Sequence, residues 1–173
     1  MKAMSETHGT IYREIFIAAA PEAVFDFFVD PAMMARWIGL SHQLDPRPGG
    51  MFRVEISRGN VARGVYTEVS APRRVVFTWG WESHDADHAD LGVLPPGASL
   101  VEIELVPKDG GTLVRFRHSG LPDVLSGMHG DRWSRYLARL EWSATAKAMR
   151  TSAWAQVSDD AWRGRMRRCA VDR

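Results

Sequence analysis

Hydrophobic and polar positions change their period along the chain, and each change predicts an element. Ile11, Ile15 and Ile17 alternate with Tyr12, Glu14 and Phe16, the period of a strand with one buried face. From Pro21 the period lengthens. Val24, Phe25 and Phe28 fall on one side of a helix that opens on proline, whose missing N–H costs nothing at the first position, and that carries Glu22 in its first turn. Asp30-Pro31 repeats the start signal and predicts a second, short helix carrying Met33, Met34 and Trp37 and ending near Gly39. Alternation then returns, with strands predicted over residues 40–45, 51–57, 61–69, 73–81, 99–106 and 112–118. Turn-rich segments at Pro46, Gly59, Pro72 and Gly110 separate several of them. Val75, Phe77, Trp79 and Trp81 share one face, as do Val101, Ile103 and Leu105, and then Val114, Phe116 and His118. Residues 82–97 carry no period and are predicted as a long loop. From about His129 the helical period resumes, with Trp133, Tyr136, Leu137, Leu140 and Ala144 on one face.

The predicted order is therefore strand, two helices, six strands, long helix. A sheet that buries one face needs a partner layer, and the long helix supplies it. The fold class expected is α+β, a curved antiparallel sheet wrapped around a C-terminal helix. A curved sheet and a straight helix do not match along their whole length, so a hollow is expected between them.

Length and composition narrow the function classes. The 173 residues are enough for one domain, read as residues 10–157 with tails at 1–9 and 158–173. A net charge of +1 gives no global field for nucleic acid, although Arg163, Arg165, Arg167 and Arg168 make the second tail locally basic. The single cysteine, Cys169, has no internal partner, which agrees with a reducing compartment. The first residues lack a signal-peptide core, and no apolar run approaches the roughly 20 residues of a membrane span. The expectation is a cytoplasmic protein that contacts neither membrane nor nucleic acid.

Local motifs add to the element order. They are Ala20-Pro21-Glu22-Ala23-Val24-Phe25, Asp30-Pro31 with Trp37, and the segment from Pro48 to Phe52. Others run from Gly64 to Val69, from Pro72 to Trp79 and from His118 to Pro122, followed by His129 and Trp133. With this order the chain resembles the helix-grip fold of the START-like, or SRPBCC, superfamily. The motifs are similar to its bacterial branch named for the homologue of the heat-shock-protein-ninety ATPase activator. The resemblance implies a pocket between sheet and C-terminal helix. The superfamily includes lipid carriers, polyketide cyclases and ring-hydroxylase components, so fold does not fix function.

The candidate chemistry follows from the inward faces. Trp37, Phe52, Tyr66, Trp79, Trp81, Phe116, His118, Trp133, Leu137 and Leu140 are the expected lining of a ligand pocket. The same aromatic residues would also serve as plain core. His118 is the polar group among them, able to orient a ligand or to move a proton, or simply to bond a carbonyl at a strand end. His84 and His88, beside Asp85, Asp87 and Asp90, are weak metal candidates in what otherwise reads as a solvated, mobile loop or a lid. Glu102 and Glu104 beside Arg115 and Arg117 read as a charge ladder on the solvent face.

The first functional expectation is a binding protein for a small hydrophobic or aromatic molecule, with no cofactor. Its alternatives are a cyclase- or hydrolase-type enzyme using His118 as acid or base, and a stress-linked co-chaperone module implied by the family name alone. A second helical stripe, Ala138, Trp142, Ala146, Met149 and Ala153, faces away from Trp133. Trp142 and Met149 are therefore expected to meet a second copy of the chain, or a tail folded back with Trp162 and Met166.

Overall fold

The computed structural model describes the backbone of residues 8–169 and the side chains of residues 9–152. The expected tail at residues 1–9 lies almost wholly outside that range. Strand β1 (His8–Ile17) leads through Ala20 into helix α1 (Pro21–Val29) and helix α2 (Pro31–Met34). Both helices start on the expected prolines. The Asp30 carboxylate caps the second, accepting from the N–H groups of Ala32 at 2.7 Å and Met33 at 3.1 Å, a bond pattern worth about 1 kcal/mol. Strands β2 (Ser41–Leu44), β3 (Met51–Ser57), β4 (Asn60–Ser70), β5 (Arg74–Trp79), β6 (Trp81–Ser83), β7 (Ser99–Lys108) and β8 (Gly111–Pro122) follow, and helix α3 (Asp123–Cys169) ends the described chain.

The sheet is antiparallel, in the order β1-β8-β7-β5-β4-β3-β2, with β6 paired to β4 off this path. Its inner face buries Val54, Tyr66, Phe77, Trp79, Val101, Ile103, Val114 and Phe116 against α1 and α3. Its outer face is the expected ladder. Glu102 lies opposite Arg117 and Glu104 opposite Arg115, and Arg117 bonds Glu102 at 2.8 Å.

Several expectations are corrected. The strand expected over residues 73–81 breaks at Gly80, so there are eight strands. A Cβ at Gly80 would collide with the Pro95 carbonyl oxygen, so only glycine lets the following loop cross there. The segment after His118 is not a loop. It extends β8 to Pro122, pairing Leu121 with Gly9 of β1. Helix α3 begins at Asp123 rather than near His129. Its backbone continues to Cys169, through the residues read as the basic tail, whose side chains lie outside the described residues. At 1.5 Å per residue, Trp162 stands about 30 Å along the same helix from Trp142, so the helix does not fold back over it. Finally, the residue 82–97 segment is not a structureless loop. It contains a 3-10 helix (Ala86–Val93) and buries Leu91 and Leu94 completely.

Candidate functional site

The inward aromatic residues meet where the end of β8, the start of β7 and the first turns of α3 converge. Strand parity carries His118 to the helix side with Phe116, as expected, and α3 brings Trp133 over both. The Trp133 ring centroid lies 4.5 Å from that of Phe116 and 5.2 Å from that of Trp79.

His118 is wholly buried. The Trp133 indole N–H donates to His118 Nδ1 at 2.9 Å. An indole nitrogen can only donate, so Nδ1 carries no proton and the neutral ring holds its proton on Nε2. That Nε2–H donates to Ser99 Oγ at 2.8 Å, and the Ser99 hydroxyl donates onward to the Trp79 carbonyl at 3.0 Å. The chain of donors runs one way, from Trp133 to Trp79, with every member satisfied. Burial, with a smaller push from His129, drives the His118 pKa down to about 3.

This geometry decides what the pair can do. A Ser–His dyad needs the imidazole to accept the serine proton. Here the imidazole donates to the serine, and its other nitrogen is already occupied. As arranged, His118 accepts from Trp133 and donates to Ser99, so it does not activate the Ser99 hydroxyl as a base. Its chemistry is that of a fixed linker between α3 and the sheet. Sequence reasoning missed Ser99 as its partner. The signal was present: Ser99 shares parity with Val101, Ile103 and Leu105, a lone hydroxyl on an apolar strand face.

A second group of rings sits beside this chain. His129 is one helical turn before Trp133, buried, and donates from Nδ1 to the Leu125 carbonyl at 3.0 Å. Its Nε2 lone pair is buried without a partner, as are the indole N–H groups of Trp79 and Trp81. These are the orphaned buried side-chain polar atoms among the described residues. Trp81 lies 5.8 Å from Trp79 and 6.1 Å from His129, centroid to centroid, and His129 lies 5.8 Å from His118. Burial lowers the His129 pKa, and the Arg132 charge lowers it further against the Leu125 hydrogen bond and Asp90. Two donors and one acceptor thus stand unanswered in an apolar setting, where each orphan costs about 1–3 kcal/mol. Sequence reasoning used His129 to mark a helix start and as part of a motif with Trp133, and gave it no place in the pocket. Its spacing of four from Trp133 was the available signal.

The 3-10 segment closes over this end. Leu91 and Leu94 are buried here, and the Trp81 backbone N–H donates to the Leu94 carbonyl at 2.8 Å. The segment is pinned at its start by buried Asn60. The Asn60 amide donates to Asp85 Oδ2 at 3.0 Å and to Ser57 Oγ at 2.8 Å, and its carbonyl accepts from the Asp85 N–H at 3.1 Å. His88 Nδ1 bonds Asp85 Oδ1 at 2.6 Å. The His88 and Asn60 hydrogen bonds together hold the Asp85 carboxyl below its usual range. His84 and His88, the weak metal candidates, lie in this segment. Among the described residues no three metal-ligating side chains come together, and His88 is engaged by Asp85.

The remaining expected lining residues are core. Trp37 donates to the Phe27 carbonyl at 2.9 Å and Tyr66 to the Phe28 carbonyl at 3.0 Å, tying the end of α1 to the sheet. Burial pushes the Tyr66 hydroxyl pKa up. Phe52 stacks on Phe77 at 4.1 Å, and Leu137 and Leu140 close the helix side. None of the ten expected lining residues is more than 5% exposed. A ligand-sized hollow would leave accessible surface on the residues around it. In this conformation the ten therefore pack on one another, and the expected hollow is not open at them. Trp142 lies on the opposite side of α3, 75% exposed in the single chain, with Met149 66% exposed on the same stripe.

Known proteins share this architecture. A protein from Mesorhizobium loti matches with a TM-score of 0.67 at 21% identity, over 78% of this chain and 96% of its own. An AHSA1-like protein from Rhizobium etli matches with a TM-score of 0.63 at 35% identity, over 84% of this chain and 87% of its own. The Aha1 dimer from Colwellia psychrerythraea matches with a TM-score of 0.60 at 17% identity, over 77% of this chain and 93% of its own. A comparison with curated proteins finds no match. The family described as "Activator of Hsp90 ATPase homolog 1-like protein" matches residues 18–162. With that span and the Rhizobium etli likeness, the chain belongs to the AHSA1-like family and has the helix-grip fold its residues predict.

Proposed function

We propose that this protein binds a small, mainly hydrophobic or aromatic molecule between the sheet and α3, at the end built by Trp79, Trp81 and His129. The observation that carries this reading is the set of three buried ring nitrogens without partners. Other buried ring nitrogens nearby, those of Trp37, Trp133 and His118, are fully bonded, so the orphans are local to this end. A flat guest bearing a hydroxyl group would accept from an indole N–H and donate to His129, and a carbonyl beside it would accept from the other indole. It would enter by displacing the Leu91 and Leu94 side chains, which makes the 3-10 segment a lid. The reading needs no catalytic group, in keeping with the engaged state of His118. The co-chaperone reading has only the family name in its favour.

The test combines native mass spectrometry of freshly purified protein with thermal shift against lipids, polyketides and hydroxylated aromatics. A ligand at about a hundred times its Kd adds about 2.7 kcal/mol of stability. Trp81→Phe, which removes one N–H and keeps an aromatic ring, is expected to weaken the hit about tenfold, the worth of one good hydrogen bond. Absence of any stabilising compound, together with ordered waters on all three nitrogens in a crystal, would overturn the proposal.

A second reading concerns assembly. We propose that a second copy of the chain covers the outer stripe of α3. Trp142, Met149, Ala138, Thr145 and Ala146 line a shallow groove of about 350 Å³ there, and the sheet covers none of it. The Colwellia psychrerythraea relative is itself a dimer.

A further inference from the structure

Helix α3 carries a feature that the interior rings do not use. Arg132, Arg135, Tyr136 and Arg139 are spaced three, four and seven apart, so they form one stripe on the helix. The stripe faces Leu40, at the entry to β2, and Ile56, on β3, across a cleft of about 310 Å³. Leu40 is 66% exposed there and gives the cleft an apolar wall. Tyr136 supplies another, with its ring 6.1 Å from Trp133, and Arg139 lies 6.0 Å over the Tyr136 ring.

The arginines on the outer face of the sheet are matched to carboxylates. Arg74 bonds Glu68 at 3.0 Å and Glu102 at 2.8 Å, and Arg115 bonds Glu14 at 3.0 Å. The cleft is different. Among the described residues, none of Arg132, Arg135 and Arg139 has a carboxylate within 4.0 Å or a side-chain hydrogen bond. Three like charges on one helical stripe repel one another and cost helix stability. A concave, half-apolar surface with three guanidinium groups that meet no carboxylate among the described residues suits a carboxylate, sulfate or phosphate held in paired hydrogen bonds.

We propose that this cleft binds a small amphipathic anion, its acidic group held by Arg132, Arg135 and Arg139 and its apolar body laid on Leu40, Ile56 and Tyr136. The cleft is open as it stands, so the site stands independently of any guest among the interior rings. The volume lies at the small end of ligand pockets, of the order of 300–1,000 Å³, and suits a ring system or a short chain rather than a whole lipid.

The probe is naphthalene-2-carboxylate, compared with its neutral amide by titration calorimetry and by amide chemical shifts on the full chain. The carboxylate is expected to bind at least about tenfold more tightly than the amide, as one charge-assisted bond requires. Its affinity is expected to fall as salt rises from about 0.05 M to about 0.5 M. Shifts are expected at residues 132–139, Leu40 and Ile56. Arg135→Gln with Arg139→Gln is expected to remove the preference for the carboxylate, while exposed Arg73→Gln leaves it unchanged. Thermal melts of all variants confirm that they fold. Equal affinity for acid and amide would overturn the proposal. So would shifts confined to Trp81 and His129, or a double variant that binds as wild type. Sedimentation with phosphatidylglycerol vesicles is the remaining arm. Vesicle binding lost in the double variant, with no binding of the free carboxylate, would assign the stripe to a membrane surface and overturn the small-molecule site.

Discussion

His118 shows how much one buried residue can set. Its pKa falls from an ordinary value near 6.5 to about 3 on folding, because burial penalises the charged ring. Above pH ~6.5 the ring is neutral in both states and its contribution is complete. As pH falls from there toward 3, the unfolded chain takes a proton that the folded chain refuses, and stability is lost. By pH 5 this single residue accounts for a loss of about 2 kcal/mol, and His129, shifted the same way, adds to it. Urea unfolding of wild type at pH 7 and pH 5 is expected to show this loss. His118→Phe is expected to be less stable at pH 7 by about 1–3 kcal/mol, since Trp133 loses its acceptor. It is also expected to lose less on acidification. Equal slopes in the two proteins would mean that His118 is not held neutral by the fold.

At the scale of elements, two glycines have opposite expected effects. Gly80 separates β5 from β6, and a side chain there would strike the Pro95 backbone at the end of the residue 82–97 segment. Gly80→Ala is expected to cost about 1–3 kcal/mol, the range for overpacking. Its first symptom should be faster hydrogen exchange at the Trp81 N–H, which the Leu94 carbonyl protects. Gly127 lies inside α3, and a Cβ there meets nothing within 4 Å. Gly127→Ala is expected to stabilise by about 0.5–1 kcal/mol through helix propensity. Exchange that rises equally over the whole sheet in the Gly80 variant would show that the residue 82–97 segment is not a separate unit.

On the scale of the whole molecule, α3 is the element with two faces and one partner. Its inner face buries Trp133, Leu137 and Leu140, and its outer face leaves Trp142 open. Burying one large apolar side chain is worth about 1.5–3 kcal/mol, so a symmetric pair through this stripe gains from both copies. Analytical ultracentrifugation is expected to find wild type as a dimer and Trp142→Glu as a monomer with unchanged secondary structure. A monomeric wild type at high concentration would remove the second copy as the cover of this stripe.

The amino-acid sequence by itself determined most of the elements and their faces. Ile11, Val101 and Phe116 alternate because a half-buried strand has period two, and Trp133, Leu137 and Leu140 recur because one face of a helix is covered. Those patterns are local, and so are the proline starts of α1 and α2. From them the fold class, the inward position of His118 and the outward position of Trp142 were all legible. Tertiary structure decided what the inward groups do. Ser99 and His118 are nineteen residues apart and Trp133 a further fifteen, and only the pairing of β7 with β8 and the seating of α3 join them. The break at Gly80 depends on Pro95 crossing it, which no local pattern records. The same is true of the orphaned nitrogens and of the arginine cleft. Whether a polar atom is paired, and whether a charge faces a carboxylate or an empty groove, depends on groups brought together from distant parts of the chain, and periodicity carries no information about them.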